Sequence, residues 1–439
     1  MSLLILVAGI LLLLFLIAVL KLNAFIALII ASLFVGIFKG MLFPDIINSI
    51  QTGIGSTLGS LVLIIAFGVL LGNILSDSGA AQRISWVMIR FFGVKYIKWA
   101  MLLTGFAVGI SMFYNAGFVI LIPMVFAVAQ STKQPIIYLG IATASALSIT
   151  HGFLPPHPGP TAIAVIFNAD IGKTLLYGFV VSIPALLVAG IIFPEFIKKI
   201  VANPPKGLFE SKTFSDAEMP SFGISFLTAL IPVILMALAT VSELILTEES
   251  SIRHLLGFFG NPTTAMLIAV LFAIVFLGIM RGRKMEDLMN KSSSAMSSAT
   301  MIIMIIAAGG AFKQVLIDSG IGTDMSVFFE ASTLSPLVLG WLIATIIRIA
   351  LGSATVAGLT AAGIVQPLVA SSGISSELMV LSIGAGSLMC SHVNDTGFWM
   401  FKEYFGISLK DTFKTWTLME TIIGIMGLIG VLVLNQFVG

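Results

Sequence analysis

Long runs of apolar residues, each close to the length that crosses a bilayer, are the feature of this sequence that most restricts its fold. About 20 apolar residues in a helix span the hydrocarbon core. Backbone groups in lipid must be satisfied within the structure, so we predict an all-α polytopic membrane protein. The clear spans are expected at residues 2–20, 24–42, 57–76, 174–197, 222–246, 262–280, 296–317 and 412–437.

The composition excludes soluble, fibrous and disordered proteins. Only 10% of the 439 residues are charged, whereas soluble domains carry about 25%. A formal net charge of +2 supplies no basic field for nucleic acid. The single cysteine, Cys390, excludes a disulfide framework and a cysteine-built metal site. No phosphate-binding loop or catalytic dyad is recognisable, so neither an ATP-driven pump nor an enzyme is indicated.

Short motifs recur at one fixed separation, which indicates an internal duplication. Asp77-Ser78-Gly79 recurs as Asp318-Ser319-Gly320, and Thr150-His151 recurs as Ser391-His392, each 241 residues further along (from 77 to 318 and from 151 to 392). Convergent loop composition is the alternative explanation. We therefore predict a first membrane repeat at 1–200, a polar cytoplasmic linker at 201–221 and a second membrane repeat at 222–439.

The basic residues predict that the two repeats are inverted. The loop after the third span carries Arg83, Arg90, Lys95 and Lys98, whereas its counterpart at 318–334 has no Lys or Arg. Positive charge marks the cytoplasmic side, so equivalent loops are expected on opposite sides. Inverted repeats are typical of secondary transporters, whose substrate site lies near the midplane between the copies.

Inversion requires an odd number of crossings in each repeat, and about five are obtained if each contains a re-entrant hairpin. The first hairpin is predicted at 99–131 with its tip at 113–117. Arms of about 14 residues are too short to cross. The second hairpin is predicted to have arms at 335–350 and 359–371 and a tip at 352–358.

Each repeat is also predicted to contain a broken span. The first covers 135–168 and is interrupted at 151–160, and the second is interrupted at 391–397. Non-helical backbone at membrane depth occurs only where it lines a cavity or is buried in protein. Half-helix starts at such breaks expose N–H groups that bind anions. Simple proline kinks are the alternative.

Four long motifs carry a resemblance to a known family: THGFLPPHPGPTAIA (150–164), GGAFKQVLIDSG (309–320), RIALGSATVAGLTAAG (348–363) and SHVNDTGFWMFKEYFG (391–406). They resemble the gluconate permeases, the Gnt-type gluconate:proton symporters, and the resemblance runs over nearly the whole chain. It implies uptake of a sugar acid with a proton across the inner membrane. The wider superfamily implies paired re-entrant hairpins, a homodimer and an elevator-like motion.

One position departs from that family. Before the second hairpin arm the family usually has an aromatic pair followed by Glu, whereas this sequence has Phe113-Tyr114-Asn115. The departure leaves the coupling ion and the substrate open. Asn115 can still donate and accept hydrogen bonds to a substrate hydroxyl.

The histidines are the first candidates for the site. His151 and His392 occupy equivalent positions in the two repeats, and His157 lies between prolines in the first break. Each could relay a proton or bind a substrate hydroxyl. Bonding of carbonyls freed by the helix break is the alternative.

Two carboxyl groups are candidates for proton coupling. Asp395 would be protonable near neutral pH if it were buried without a cation. Alternatively, it caps the half-helix that begins at Thr396-Gly397. Glu420, within the last span, is the second candidate, because intramembrane carboxyl groups mark proton relays.

The remaining candidates are substrate ligands. Ser353 and Thr355 lie at a glycine-flanked hairpin tip, where they would bind hydroxyls or serve only close helix packing. Arg348 would pair with the substrate carboxylate or brace the hairpin through backbone carbonyls. Ser391 and Asn394 belong to the second break.

The sequence and the resemblance together predict an inner-membrane importer of a sugar acid, D-gluconate, that is driven by the proton gradient. The partners expected are the sugar acid, the lipid bilayer and a second copy of the chain. Another small organic anion or amino acid, such as idonate, fructuronate or D-serine, is the alternative substrate, and sodium is the alternative coupling ion. A channel would show uptake that does not saturate.

Overall fold

The computed structural model describes residues 2–204, 214–321, 334–393 and 395–438, and this part of the chain is helical without a β-strand. Three helices, α9, α12 and α18, contain a π-helical segment. The helices are α1 (Ser2–Leu14), α2 (Ala24–Phe38), α3 (Phe43–Asp77), α4 (Ala80–Phe92), α5 (Ile97–Gly109), α6 (Tyr114–Thr132), α7 (Ile136–Phe153), α8 (Pro158–Phe167), α9 (Ile171–Ile197), α10 (Phe222–Ile245), α11 (Ser251–Gly260), α12 (Pro262–Arg281), α13 (Met285–Asp318), α14 (Pro336–Leu351), α15 (Ala354–Ser372), α16 (Ser376–Leu388), α17 (Thr396–Phe405) and α18 (Leu409–Val438).

In the described residues, 8 helical stretches are long and apolar enough to cross a membrane, and a ninth is obtained if α4 and Val94–Gly109, bent by 110°, form one span. The polytopic helical class is thereby confirmed. The stretches are α3, α6, α7 with α8, α9, Phe222–Glu243 of α10, α12, Thr300–Asp318 of α13, and α18.

The first two predicted spans, 2–20 and 24–42, are shorter as α-helices than expected. Helix α1 passes into a π-helical segment at Phe15–Val19. Helix α2 ends at Phe38, because Gly40 turns the chain with a φ of 78°. Glycine adopts this left-handed conformation without the steric cost that a side chain would add.

Helices α3 and α13 carry the recurring Asp-Ser-Gly motif at their ends, and they pack against each other in opposite directions. At one end Ser49 donates to Asp318 at 2.6 Å, and at the other Arg283 donates to Asp77 at 2.7 Å. Between these ends the backbones approach closely, as small residues permit, since a Cβ on Gly53 would lie 2.4 Å from the carbonyl oxygen of Gly310. This antiparallel pair supports the inverted repeat.

The two hairpins differ in detail from the prediction. Helix α6 has 19 residues and begins at Tyr114, so it is long enough to cross, and the argument from arm length is wrong for this arm. The second connection is also tighter than the predicted tip at 352–358, because only Gly352 and Ser353 separate the two arms. Gly352 makes the turn with a φ of 77°, and the Ser353 hydroxyl caps the next helix.

Both broken spans are interrupted where the sequence predicted. Helix α7 ends at Phe153 and α8 begins at Pro158, while α16 ends at Leu388 and α17 begins at Thr396. The first halves cross closely, since a Cβ on Gly384 would lie 2.3 Å from the carbonyl oxygen of Gly152. Helices α7 and α16 are buried on nearly all sides. The first break is buried as well, whereas Val393 in the second break is 42% exposed.

The described part of the linker joins the two repeats. Arg83 of α4 donates to Asp216 at 2.6 Å and to the carbonyl oxygen of Pro220 at 2.8 Å. Arg281 of α12 donates to the carbonyl oxygen of Glu218 at 2.7 Å. The cytoplasmic placement of this linker remains a prediction.

Candidate functional site

A cavity of about 370 Å³ lies where the two hairpins, the two broken spans and α18 meet. Its wall combines residues from both repeats, as expected for a site between two copies of one fold. Seven predicted site residues line it: Asn115, His151, Arg348, Ser353, Thr355, Asp395 and Glu420.

Three helices, α6, α15 and α17, begin at the cavity wall. The last two are capped by their own side chains: Ser353 Oγ accepts from the Val356 N–H at 3.3 Å, and Asp395 Oδ1 accepts from the Gly397 N–H at 2.9 Å. Helix α6 has Phe113 at its N-cap and no side-chain cap. A helix N-terminus favours negative charge, and at α6 this end carries no carboxylate or hydroxyl cap of its own.

The buried Arg348 and the partly buried Asp395 form an ion pair at the cavity wall. Arg348 is 2% exposed, and its Nη2 donates to Asp395 Oδ2. Ser391 donates to the same oxygen and accepts from Trp416 Nε1, the latter at 2.7 Å. Arg348 therefore forms a salt bridge that joins the hairpin to the break, and the two roles predicted for it remain predictions.

This pair corrects the coupling hypothesis for Asp395. That hypothesis required a carboxyl group buried without a cation, and the guanidinium of Arg348 is the cation. The alternative, capping of the half-helix at Thr396-Gly397, is what the structure shows. Ser391, predicted as a substrate ligand, instead positions Asp395 and does not line the cavity.

Glu420 is the other carboxyl group of the wall. It lies on α18 and is 2% exposed. Ser148 of α7 donates to its Oε1 at 2.5 Å, while its Oε2 has no hydrogen-bond partner. A buried carboxyl group with one unbonded oxygen remains able to take up and release a proton.

Unpaired polar atoms are concentrated at this cavity. Seven buried side-chain polar atoms in the described residues lack a hydrogen-bond partner, and five of them belong to residues of this wall. Each such group costs about 1–3 kcal/mol, so a polar ligand would stabilise the arrangement. The five are Tyr114 Oη, His151 Nδ1, Arg348 Nε, Arg348 Nη1 and Glu420 Oε2.

Two predicted histidines, one in each repeat, brace the hairpins instead of lining the cavity. His157 Nε2 lies 2.7 Å from the Gly109 carbonyl oxygen, and His392 Nε2 lies 3.0 Å from that of Ile349. A carbonyl oxygen only accepts, so each Nε2 donates. Both carbonyls are near the C-terminal end of a first hairpin arm, where helices leave carbonyls unpaired. Carbonyl bonding, the structural alternative for these histidines, is therefore observed.

Asn394 lies outside the described residues. The wall also contains residues that were not predicted, among them Tyr114, Ser148 and Trp416. Ser148 is one helical turn before His151, so the periodicity of α7 could have identified it. The two aromatic residues, Tyr114 and Trp416, carry no comparable signal in the sequence.

Sequence comparison relates the whole chain to sugar-acid transporters. Residues 1–438 match the GntP family permeases. The high-affinity gluconate transporter of Escherichia coli K12 is 50% identical over 438 residues, which cover 100% of both chains. The Gnt-II system L-idonate transporter of the same strain is 50% identical over 99% of both chains. The gluconate permease of Bacillus subtilis 168 is 48% identical over 100% of both chains.

Solved structures of the same fold are more distant in sequence. The YdaH transporter of Alcanivorax borkumensis aligns with a TM-score of 0.64 at 17% identity and covers 88% of this chain and 87% of its own. MtrF of Neisseria gonorrhoeae aligns with a TM-score of 0.62 at 16% identity, over 90% of this chain and 84% of its own. These two similarities concern the fold alone.

Proposed function

The chain belongs to the GntP permease family, and from this membership we propose that it imports a sugar acid, D-gluconate, by proton symport. Members of the family are permeases, so the chain is a multi-pass inner-membrane transporter and not an enzyme. Relatives of up to 50% identity carry gluconate or L-idonate in their names, which supports a sugar acid as the substrate class.

The observation that carries the proposal is the buried Arg348 with two unpaired nitrogens at the cavity wall. Its Nη2 is bonded to Asp395, whereas Nε and Nη1 have no partner. Hydrogen bonds from a guanidinium to a carboxylate are charge-assisted and strong. The substrate carboxylate would bind these two nitrogens, and the uncapped N-terminus of α6 would add favourable potential.

The hydroxyl groups of the acid would bind the neutral part of the wall. Asn115, His151, Ser353 and Thr355 all line the cavity, and each side chain can donate or accept a hydrogen bond. The volume of about 370 Å³ falls within the range of roughly 300–1,000 Å³ typical of small-molecule pockets. L-idonate, a stereoisomer of gluconate, is the second candidate substrate.

Glu420 is the group that we assign to the coupling proton, in place of Asp395. Its Oε2 is unpaired, and it shares the cavity with the substrate ligands. The proton on Glu420 Oε2 and the substrate carboxylate at Arg348 would then be bound in the same cavity. The proposal includes alternating access and assembly as a homodimer, and sodium is the alternative coupling ion.

Uptake of labelled gluconate into liposomes that contain the purified protein tests the proposal. An inward proton gradient without sodium should drive accumulation above the external concentration, and the rate should saturate with gluconate. A protonophore should abolish the accumulation. Uptake that requires a sodium gradient would contradict proton symport, and uptake that does not saturate would indicate a channel.

A further inference from the structure

Tyr114 is the residue of the cavity wall whose chemistry the proposed function leaves unused. It is the first residue of α6 and lies 8% exposed at the cavity. Its hydroxyl oxygen is buried and has no hydrogen-bond partner. A buried phenol usually finds a partner, so this hydroxyl is suited to one that arrives with the ligand.

The aromatic ring of Tyr114 is held by its neighbours. It stacks on Phe118, with ring centroids 5.7 Å apart, and meets the edge of Trp416 at 5.6 Å. The ring centroid of His151, another residue of the cavity wall, lies 6.4 Å away. A side chain packed in this way loses little further freedom on binding, so its hydroxyl occupies a fixed position before the ligand arrives.

Packing alone does not require a hydroxyl at this position. Phe in place of Tyr114 would make the same ring contacts and would leave no unpaired oxygen. The other unpaired groups of the wall, on His151, Arg348 and Glu420, make no hydrogen bond to Tyr114. The structure therefore gives the hydroxyl no role within the protein itself.

We propose that the Tyr114 hydroxyl binds one hydroxyl group of the transported acid and selects acids that carry it over acids that lack it. The inference rests on the proposed function, since it names the feature of the substrate that the site recognises. A site built to bond a substrate hydroxyl rejects the analogue without it, because the polar group of the protein is then left unpaired. The phenol both donates and accepts, which matches an alcohol.

Competition by a series of deoxygluconates, each lacking one hydroxyl, against labelled gluconate tests this inference. In the parent protein, the analogue that lacks the recognised hydroxyl should bind about 10- to 100-fold more weakly than gluconate. Tyr114→Phe should weaken gluconate binding by a similar factor. The same variant should bind that one analogue as well as the parent protein does, which also shows that it is folded.

Tyr138→Phe is the matched control. The Tyr138 hydroxyl donates to Glu195 at 2.8 Å, away from the cavity, so this variant should leave every affinity unchanged. Unaltered gluconate binding by Tyr114→Phe would overturn the inference, and so would an equal loss for every analogue. Failure of the parent protein to bind any hydroxylated acid would instead overturn the proposed function and this inference with it.

Discussion

The two repeats supply different chemistry to one cavity. The first repeat contributes neutral hydrogen-bonding side chains: Tyr114, Asn115, Ser148 and His151. The second repeat contributes the ionisable side chains: Arg348, Asp395 and Glu420. The charged side chains of the wall therefore come from the second repeat alone, whereas neutral hydrogen-bonding side chains come from both, since Ser353 and Thr355 also line the cavity.

The equivalent positions show how far the copies have diverged. At the separation of 241 residues, Arg348 corresponds to Ala107, and Asp395 corresponds to Leu154. A substrate with one carboxylate requires one cationic site, and a second buried ion pair would bring a desolvation cost without a ligand to bind. The predicted duplication would thus account for the backbone of the site, whereas the charged side chains differ between the copies.

Loss of the charge contributed by the second repeat should have the largest effect. Arg348→Gln removes the proposed carboxylate ligand and leaves the partly buried Asp395 without its cation, so gluconate uptake should fall at least about 100-fold. The melting temperature should fall too, because breaking a buried pair costs roughly 3–5 kcal/mol. Liposome uptake and thermal melting measure the two effects.

A double variant separates binding from folding at this position. Arg348→Gln combined with Asp395→Asn leaves no unpaired buried charge, so it should recover much of the melting temperature but not the uptake. Gluconate uptake by the double variant with the KM of the parent protein would show that the second repeat does not provide the carboxylate site.

Glu420→Gln should uncouple transport from the proton gradient. The amide keeps the shape and can accept from Ser148, but it cannot carry a proton. Accumulation driven by a pH gradient should be lost, while exchange of internal for external gluconate continues. Glu403→Gln, at an exposed side chain on α17, is the control and should behave as the parent protein. Normal accumulation by Glu420→Gln would remove the coupling role from this carboxyl group.

The equivalent histidines allow a direct comparison of the two repeats, with a smaller expected change in transport. His151 lines the cavity with an unpaired Nδ1, whereas His392 bonds the Ile349 carbonyl. His151→Gln should raise the KM for gluconate about 10-fold, and His392→Gln, which keeps an N–H donor, should change it less than about threefold. Equal effects would contradict the division of roles between the two positions.

The crossing of the broken spans should show the smallest effect, on stability alone. A Cβ on Gly384 would lie 2.3 Å from the Gly152 carbonyl oxygen, whereas Gly55 of α3 has no atom within 4 Å of such a Cβ. Gly384→Ala should lower the free energy of unfolding by about 1–3 kcal/mol, and Gly55→Ala should leave it unchanged or slightly higher. Melting temperatures in detergent compare the two, and equal values would show that the close crossing adds no constraint.

The sequence predicted those parts of the molecule that depend on a physical length or a local break. Spans such as 57–76 and 412–437 follow from bilayer thickness, and the breaks follow from proline and glycine beside polar residues. The hairpin tips were placed less well, because Ser353 caps α15 from a position that local composition does not reveal.

The pairing of side chains within the site could not be predicted from the sequence, for a different reason. Arg348 and Asp395 are 47 residues apart, and only the fold shows that the cation faces this carboxylate. Tyr114 lies among apolar residues in the sequence. An aromatic ring is expected to serve packing there, so a role for its hydroxyl group is not evident. Membership of the wall was predicted for seven residues, but their pairing was not.

His157 and His392 have a mechanical consequence. Each imidazole bonds the interruption of its own span to the end of the neighbouring hairpin arm. The interruption and the arm should therefore move as one unit within each copy. The cavity takes its walls from both copies, so each imidazole would hold two wall segments of its own copy in a fixed relation.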